Sequence, residues 1–246
     1  MSQEPQTSTS SSATGGNGGP RALPGRQALP RDFILRHQQE RIFNAVIELV
    51  AAHGYEPVTV ADIVKQAGIA RSTFYERFSD KEACFLAAYD WLLERVMGEL
   101  AAAYQGAEGP WEGKVAAGIA LLLRWVVERP LEARIFFVEA LTAGPAAVER
   151  YDQTTQAFAM ALRLGRRETT NGGQLPPTME ESLVGGAIWI LYQRITKGET
   201  NRVEELLPQL VELVLTPYLG AAEAKRLAME APPAAEPSTG EPQISR

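Results

Sequence analysis

The stretch that most constrains this chain is Thr59–Lys81, TVADIVKQAGIARSTFYERFSDK, in which two short runs of helical periodicity flank a single glycine. Val60, Ile63, Val64 and Ala67 share one face of the first run. Gly68 stands where the chain must bend, and Ile69 follows as a plug for the corner. The second run starts near Ala70 and turns Phe74 and Phe78, four apart, inward. Arg71, Ser72, Thr73, Tyr75 and Arg77 are left on the outer and flanking faces. Two helices about a tight turn, the second with polar groups outward, make a helix-turn-helix, and such a face suits phosphates and base edges in a major groove.

The net charge of −6 over 246 residues has the wrong sign for a DNA binder until it is divided. Residues 1–82 hold nine Lys/Arg and nine Asp/Glu, and residues 83–246 hold fifteen and twenty-one. The excess acidity lies entirely downstream. Because fields between exposed charges fade over roughly 10 Å at ordinary salt, local charge decides how the head meets phosphate.

Other classes are disfavoured by what the chain lacks. One cysteine, Cys84, excludes an intramolecular disulfide, and with only His37 and His53 beside it no zinc cluster is expected. There is no phosphate-cradling glycine loop and no nucleophile motif, so neither an enzyme nor a cofactor is expected. Cys84, within Glu-Ala-Cys-Phe-Leu, reads as a small core residue, with a thiol sensor as the alternative. The most apolar runs, such as Val115–Leu123 and Leu183–Tyr192, are short of the roughly 20 residues that span a bilayer. No membrane association is expected, and the expected compartment is the bacterial cytoplasm.

Periodicity and punctuation give an all-α chain of about nine helices. Residues 1–30 are expected to be a disordered tail and a basic arm, 31–79 the helix-turn-helix domain, 80–230 a helical body for effector binding and dimerisation, and 231–246 a second disordered tail. The segment Arg21–Arg31 is basic without an acid; it either reaches phosphates or a minor groove, or is a solvated linker. The first helix is expected over about 32–53, closed by Gly54, with Thr59 as N-cap of the second. A long helix to about Tyr104 follows, opened by Ser79 and Glu82 at capping-box spacing. Further helices are expected at about 110–128, 130–142, 145–169, 178–197 and 203–219, the last beginning properly at Pro208, with a turn or two more to Ala228.

With motif and layout together, the chain resembles the TetR/AcrR family of bacterial transcriptional regulators. The residues that carry the resemblance are Thr59, Ala67-Gly68-Ile69, Ala70-Arg71, Phe74-Tyr75 and Phe78-Ser79-Asp80-Lys81-Glu82. The match is strong over roughly 35–90; elsewhere it is one of helix count. The resemblance implies DNA contacts by Thr59, Arg71, Ser72, Thr73, Tyr75 and Lys81. Arg71 is the candidate for bidentate guanine contact, Tyr75 and Lys81 for phosphate clamping, and Thr59 for phosphate at a helix N-terminus. Two residues depart from the pattern. Ala70 leaves the second motif helix without a side-chain cap, and Glu76 is expected to pair with Arg77 rather than face phosphate.

The resemblance also implies a homodimer that binds a palindromic operator on double-stranded DNA and is released as a repressor by a small apolar or amphipathic effector. Candidate pocket residues are Trp125, Phe137, Glu139, Phe158, Met160 and Trp189, against the alternative that the aromatics are simply core. Glu139, if buried, needs a partner such as Arg134 or Arg124; an exposed position is the plainer expectation. Candidate dimer-interface residues on the last two long helices are Gly185, Gly186, Leu210, Val211, Val214 and Tyr218. The runner-up is a sequence-nonspecific, nucleoid-type DNA binder, which the acidic overall charge argues against.

Overall fold

The computed structural model describes residues 31–231; the basic arm and the two tails expected from composition lie outside that range but for Arg31 and Ala231. Among the described residues the fold is all-α. The head consists of α1 (Arg31–His53), α2 (Val60–Ala67) and α3 (Arg71–Tyr75). The long α4 (Lys81–Gly106) leads into a body of α5 (Trp111–Glu128), α6 (Pro130–Phe137), α7 (Pro145–Arg163), the single turn α8 (Gly165–Glu168), α9 (Met179–Thr196), α10 (Leu207–Leu219) and α11 (Ala221–Glu230).

The boundaries follow local chemistry. Thr59 caps α2 through a full capping box: its hydroxyl accepts from the Asp62 N–H at 3.3 Å, and the Asp62 carboxylate accepts from the Thr59 N–H at 2.9 Å. Gly68 ends α2 in the left-handed region at φ 61°, which a residue with a Cβ adopts only with strain. Arg41 of α1 closes the same turn by donating to the carbonyls of Ala67 and of Gly68, the latter at 3.0 Å. A cation at those last carbonyls also complements the negative end of α2.

Several expected boundaries move. The cap of α4 is Asp80, whose carboxylate accepts from the Ala83 N–H at 2.8 Å, and Ser79 only donates to that carboxylate at 2.9 Å; the Ser79/Glu82 capping box does not form. The helix expected over 130–142 stops at Phe137 and tightens into a 3₁₀ turn, Glu139–Leu141. The one expected over 145–169 breaks at Leu164, and the one expected from 203 begins as 3₁₀ over Thr200–Leu206 before Pro208 opens α10 in its first turn. The terminal α11 is a full helix rather than a turn or two.

One apolar core runs from the head through the body. Phe43 of α1 joins the two, with its ring 6.1 Å from Phe78 in the motif and 5.7 Å from Trp91 on α4. In the head, α1 packs on α2, and it also packs on α4 and α6 of the body. In the body, α5 lies against α4, α6 and α10, while α9 lies against α7, α6 and α10.

A buried polar knot fixes the far side of the body. The Glu180 carboxylate, fully buried, accepts from the Arg166 guanidinium at 2.7 and 2.8 Å and from the Tyr218 hydroxyl at 2.9 Å. Arg166 also donates to the carbonyls of Leu175 and Pro176, tying down the segment between α8 and α9. Burial pushes Glu180 up, yet the bonds from Arg166 and Tyr218 outweigh it and hold the carboxyl below its ordinary value.

Candidate nucleic-acid interface and effector cavity

The motif presents its candidates unequally. Phe74 is fully buried and Phe78 nearly so, 5.5 Å apart, and they anchor the second helix on the core. That leaves Arg71, Ser72 and Tyr75 exposed and Thr73 half-buried. Arg71 and Tyr75, one turn apart, form a pair: the guanidinium donates to the phenol oxygen at 3.4 Å and lies 5.5 Å from the ring centre. Tyr75 is in turn braced edge-on by Phe74 at 5.4 Å. The cation and the hydroxyl are thus held together on one outer surface.

Two other candidates are engaged within the head. The Thr59 hydroxyl donates to the Asp62 carboxylate at 2.6 Å. That bond, with the one from the Thr59 N–H, holds the carboxyl low, so an anionic group sits at the first turn of α2. Lys81 donates to the carbonyls of Tyr55 and Glu56 at 2.9 and 3.2 Å, and its ammonium lies 4.0 Å from the Tyr55 ring centre. Its principal bonds are to the turn between α1 and α2. Ala70 caps α3 with no side-chain bond, as its methyl group dictates. Glu76 and Arg77 form no ion pair; neighbours in a helical turn point to different faces.

The head meets the body beneath Gly54. Glu139 is buried, contrary to the plainer expectation, and pairs with Arg134 at 3.1 Å. Its other carboxylate oxygen lies 3.8 Å from where a side chain on Gly54 would begin. Tyr55, in the same turn, packs edge-on against Phe85 of α4 at 5.1 Å. Cys84 beside it is fully buried, and burial pushes its thiol up to about 12, so the residue is a core group.

A cavity of about 360 Å³ opens within the body among α4, α5, α6, α7, α9 and α10. Phe137 and Phe158 line it as expected. Four other candidates do not. Trp125 is buried in the core, where Phe136 meets its ring edge-on at 6.2 Å. Glu139 is held at the head–body joint by Arg134. Met160 is 64% exposed on the outer side of α7, and Trp189 is 59% exposed on α9, stacked on Tyr192 at 5.4 Å. What the sequence reading missed is the rest of the α4–α5 wall, Met97, Leu100, Lys114, Ile119 and Leu122, beside Tyr104. The aliphatic spacing was visible, but helical spacing does not distinguish a core side chain from one facing a void.

The expected dimer residues also divide. Leu210, Val211, Val214 and Tyr218 are buried within the subunit, Val214 in the cavity wall and Tyr218 on Glu180. An amphipathic helix has one apolar stripe, and α10 uses it on its own core. Gly185 and Gly186 have open space where side chains would stand. Beyond them α9 and α10 expose Trp189 and Leu213, with Pro217 half-buried beside them and a shallow groove between Leu183, Gln209, Leu213 and Thr216.

The family model described as bacterial regulatory proteins, tetR family, matches residues 42–88. An uncharacterized HTH-type transcriptional regulator of Bacillus subtilis (strain 168), YvdT, is 36% identical over 72 residues, 29% of this chain and 37% of that protein. The chain therefore aligns with little more than a third of that relative's length. Two solved structures share the fold over about three quarters of this chain. The fatty acid degradation regulator FadR from Bacillus halodurans superposes with a TM-score of 0.64 at 17% identity, over 72% of this chain and 97% of that one. The transcriptional regulator FadR from Bacillus subtilis, in complex with stearoyl-CoA, gives 0.62 at 17%, over 74% and 98%. The capped helix-turn-helix thus lies on residues that the tetR family model matches, and the helical body that carries it has the fold of these solved regulators.

Proposed function

We propose that the protein is a ligand-released transcriptional repressor that binds a palindromic operator as a homodimer. The observation that carries this reading is the pairing of Arg71 with Tyr75 on an exposed face of α3, in a head whose α1 rests on α4 and α6, the helices that wall the cavity. Arg71 reads a base edge and Tyr75 a phosphate, with Ser72 and Thr73 beside them in the first turn; Thr59 and Lys81 set the shape of the head and add to the phosphate surface. One short recognition helix spans few base pairs. Two heads about 34–36 Å apart supply the rest, with the subunits joined along the open α9–α10 face at Gly185, Trp189, Leu213 and Pro217.

Release needs an effector that prefers the conformation with the heads displaced, since a ligand of equal affinity for both states shifts nothing. The cavity is apolar and, at about 360 Å³, falls at the small end of the usual range for small-molecule sites. The stearoyl-CoA held by the Bacillus subtilis relative is in keeping with an apolar or amphipathic effector. A ligand that moves Phe137 acts on α6, which packs on α1, and one that spreads the Met97–Tyr104 wall acts on α4.

The test is selection of bound sequences from random duplex DNA with the full chain, followed by competition of the recovered site against bulk DNA. The expected result is a palindrome with half-sites one helical turn apart, bound at least about a thousandfold more tightly than bulk DNA. Recovery of no common sequence would instead identify a nonspecific DNA binder.

A further inference from the structure

The polarity of the cavity wall is confined to one corner. Of the lining side chains only Tyr104, Gln105 and Lys114 are polar, and they stand at the adjoining ends of α4 and α5, on either side of the turn between them. The remaining wall is aliphatic or aromatic, from Met97 and Leu122 to Phe137, Leu191 and Val214. Along α4 and α5 the lining runs from Met97 and Leu122 at one end to Tyr104 and Lys114 at the other. That is about two helical turns, roughly 10–12 Å. Phe137, Leu191 and Val214 are buried, whereas Ala101 and Gln105 of α4 and Ala157 and Ala161 of α7 are exposed at the rim.

Lys114 is the one charged side chain in this wall. Its ammonium lies 5.3 Å from the Tyr104 ring centre, and among the described residues it forms no ion pair. It also stands in the first turns of α5, at the positive end of the helix, where a cation is disfavoured and an anion is favoured. Lysine is thus poorly placed for α5 and well placed for an anion at the cavity rim.

We propose that the cavity binds an extended aliphatic monocarboxylate, a fatty acid in free form, with its carboxylate on Lys114 and its chain running along the α4–α5 wall toward Phe137. The proposal rests on the reading of the cavity as the effector site and names the ligand class for it. A single cation matches a single negative charge. A head group with several phosphates would bring charges that no other lining residue neutralises, and a cationic amphiphile would meet Lys114 directly. The length of the wall and its Met, Leu and Ile side chains suit a flexible chain.

The test is calorimetric binding of decanoate and hexadecanoate, their methyl esters and hexadecanoyl-CoA to the full chain, all delivered from the same cyclodextrin carrier. Wild type is compared with Lys114→Met and Lys114→Arg, each first checked for an unchanged unfolding midpoint. The free acid is expected to bind about tenfold more tightly than its ester, the worth of one charge-assisted hydrogen bond at a partly solvated site. Lys114→Met should bring the acid to the level of the ester and leave the ester unaffected, and Lys114→Arg should keep the preference. Equal binding of acid and ester, a preference that survives Lys114→Met, or tighter binding of the CoA thioester would overturn the assignment to a free carboxylate, while ester binding would still support an apolar effector site. Failure of every chain to bind would overturn both.

Discussion

Glu139 and Arg134 form an ion pair at 3.1 Å, with the carboxylate buried directly beneath Gly54 and two residues along the chain from Phe137 in the cavity wall. Gly54 ends α1, the helix on which the DNA-reading motif is built. On the proposed mechanism the pair therefore sits between the cavity wall that an effector would touch and the head that it would displace. Because buried charges tolerate few geometries, it favours discrete arrangements of the α6–α1 contact over gradual ones.

Glu139→Ala leaves the Arg134 guanidinium without its partner and is expected to lower stability by about 2 kcal/mol, less than a wholly buried pair because Arg134 is about a third exposed. The midpoint of urea unfolding reads this. The ratio of operator affinities with and without effector should also shrink. An unchanged ratio would remove Glu139 from the coupling.

Arg71→Ala is expected to weaken operator binding by about 1–3 kcal/mol and to relax preference at one position per half-site. Tyr75→Phe removes the hydroxyl that accepts from Arg71, and should weaken all sequences about equally. Binding of a panel of single-base operator variants separates the two patterns.

Lys81→Met should destabilise the protein by about 1–3 kcal/mol, because two charge-assisted bonds to the Tyr55 and Glu56 carbonyls are lost. If those bonds are its whole role, the slope of log affinity against log salt for operator binding stays at its wild-type value. A slope smaller by about one counterion per head marks a phosphate contact as well.

Gly118 lies in the cavity wall, and a Cβ added there meets nothing within 4 Å. Gly118→Ala is therefore expected to raise stability by about 0.5–1 kcal/mol, the ordinary gain for replacing glycine inside a helix. Gly118→Phe should fill the void, abolish effector binding and leave operator binding intact. Thermal unfolding and operator titration with effector present check both.

Glu180 links stability to pH. Its carboxyl lies below the ordinary 4.5 when folded, so the unfolded chain takes up the proton more readily. The contribution of the knot is present above that ordinary value and is lost as pH falls through the lower folded one. Glu180→Gln should cost about 3 kcal/mol at neutral pH, and the gap from wild type should narrow as the solution is acidified below about 4.5. A gap that does not change with pH would show that Glu180 does not bear its charge in the folded protein.

The head was legible in the sequence because its determinants are local. Thr59 and Gly68 mark the ends of α2 by backbone chemistry that depends on the nearest few residues, and Phe74 and Phe78 define an inward face by spacing alone. Where a distant residue decides, the reading fails. Nothing local signals that Lys81 bonds the Tyr55 and Glu56 carbonyls, and Arg41 gives no sign in the sequence that it closes a turn 26 residues away.

The sequence by itself determined an all-α chain, a DNA-type motif at Thr59–Lys81, and acidic residues set apart in a helical body. Only the tertiary structure decided which apolar side chains face a void. Phe137 and Phe158 line the cavity, Trp125 is core, and Met160 and Trp189 face outward, though all five have the same hydrophobic character. It likewise turned Leu210, Val211, Val214 and Tyr218 of α10 inward and left Gly185 and Leu213 open. The physical reason is that periodicity gives each helix an apolar stripe but not its partner. Whether a stripe meets another helix, a ligand or a second subunit depends on how six helices are stacked, a relation among residues far apart in the chain.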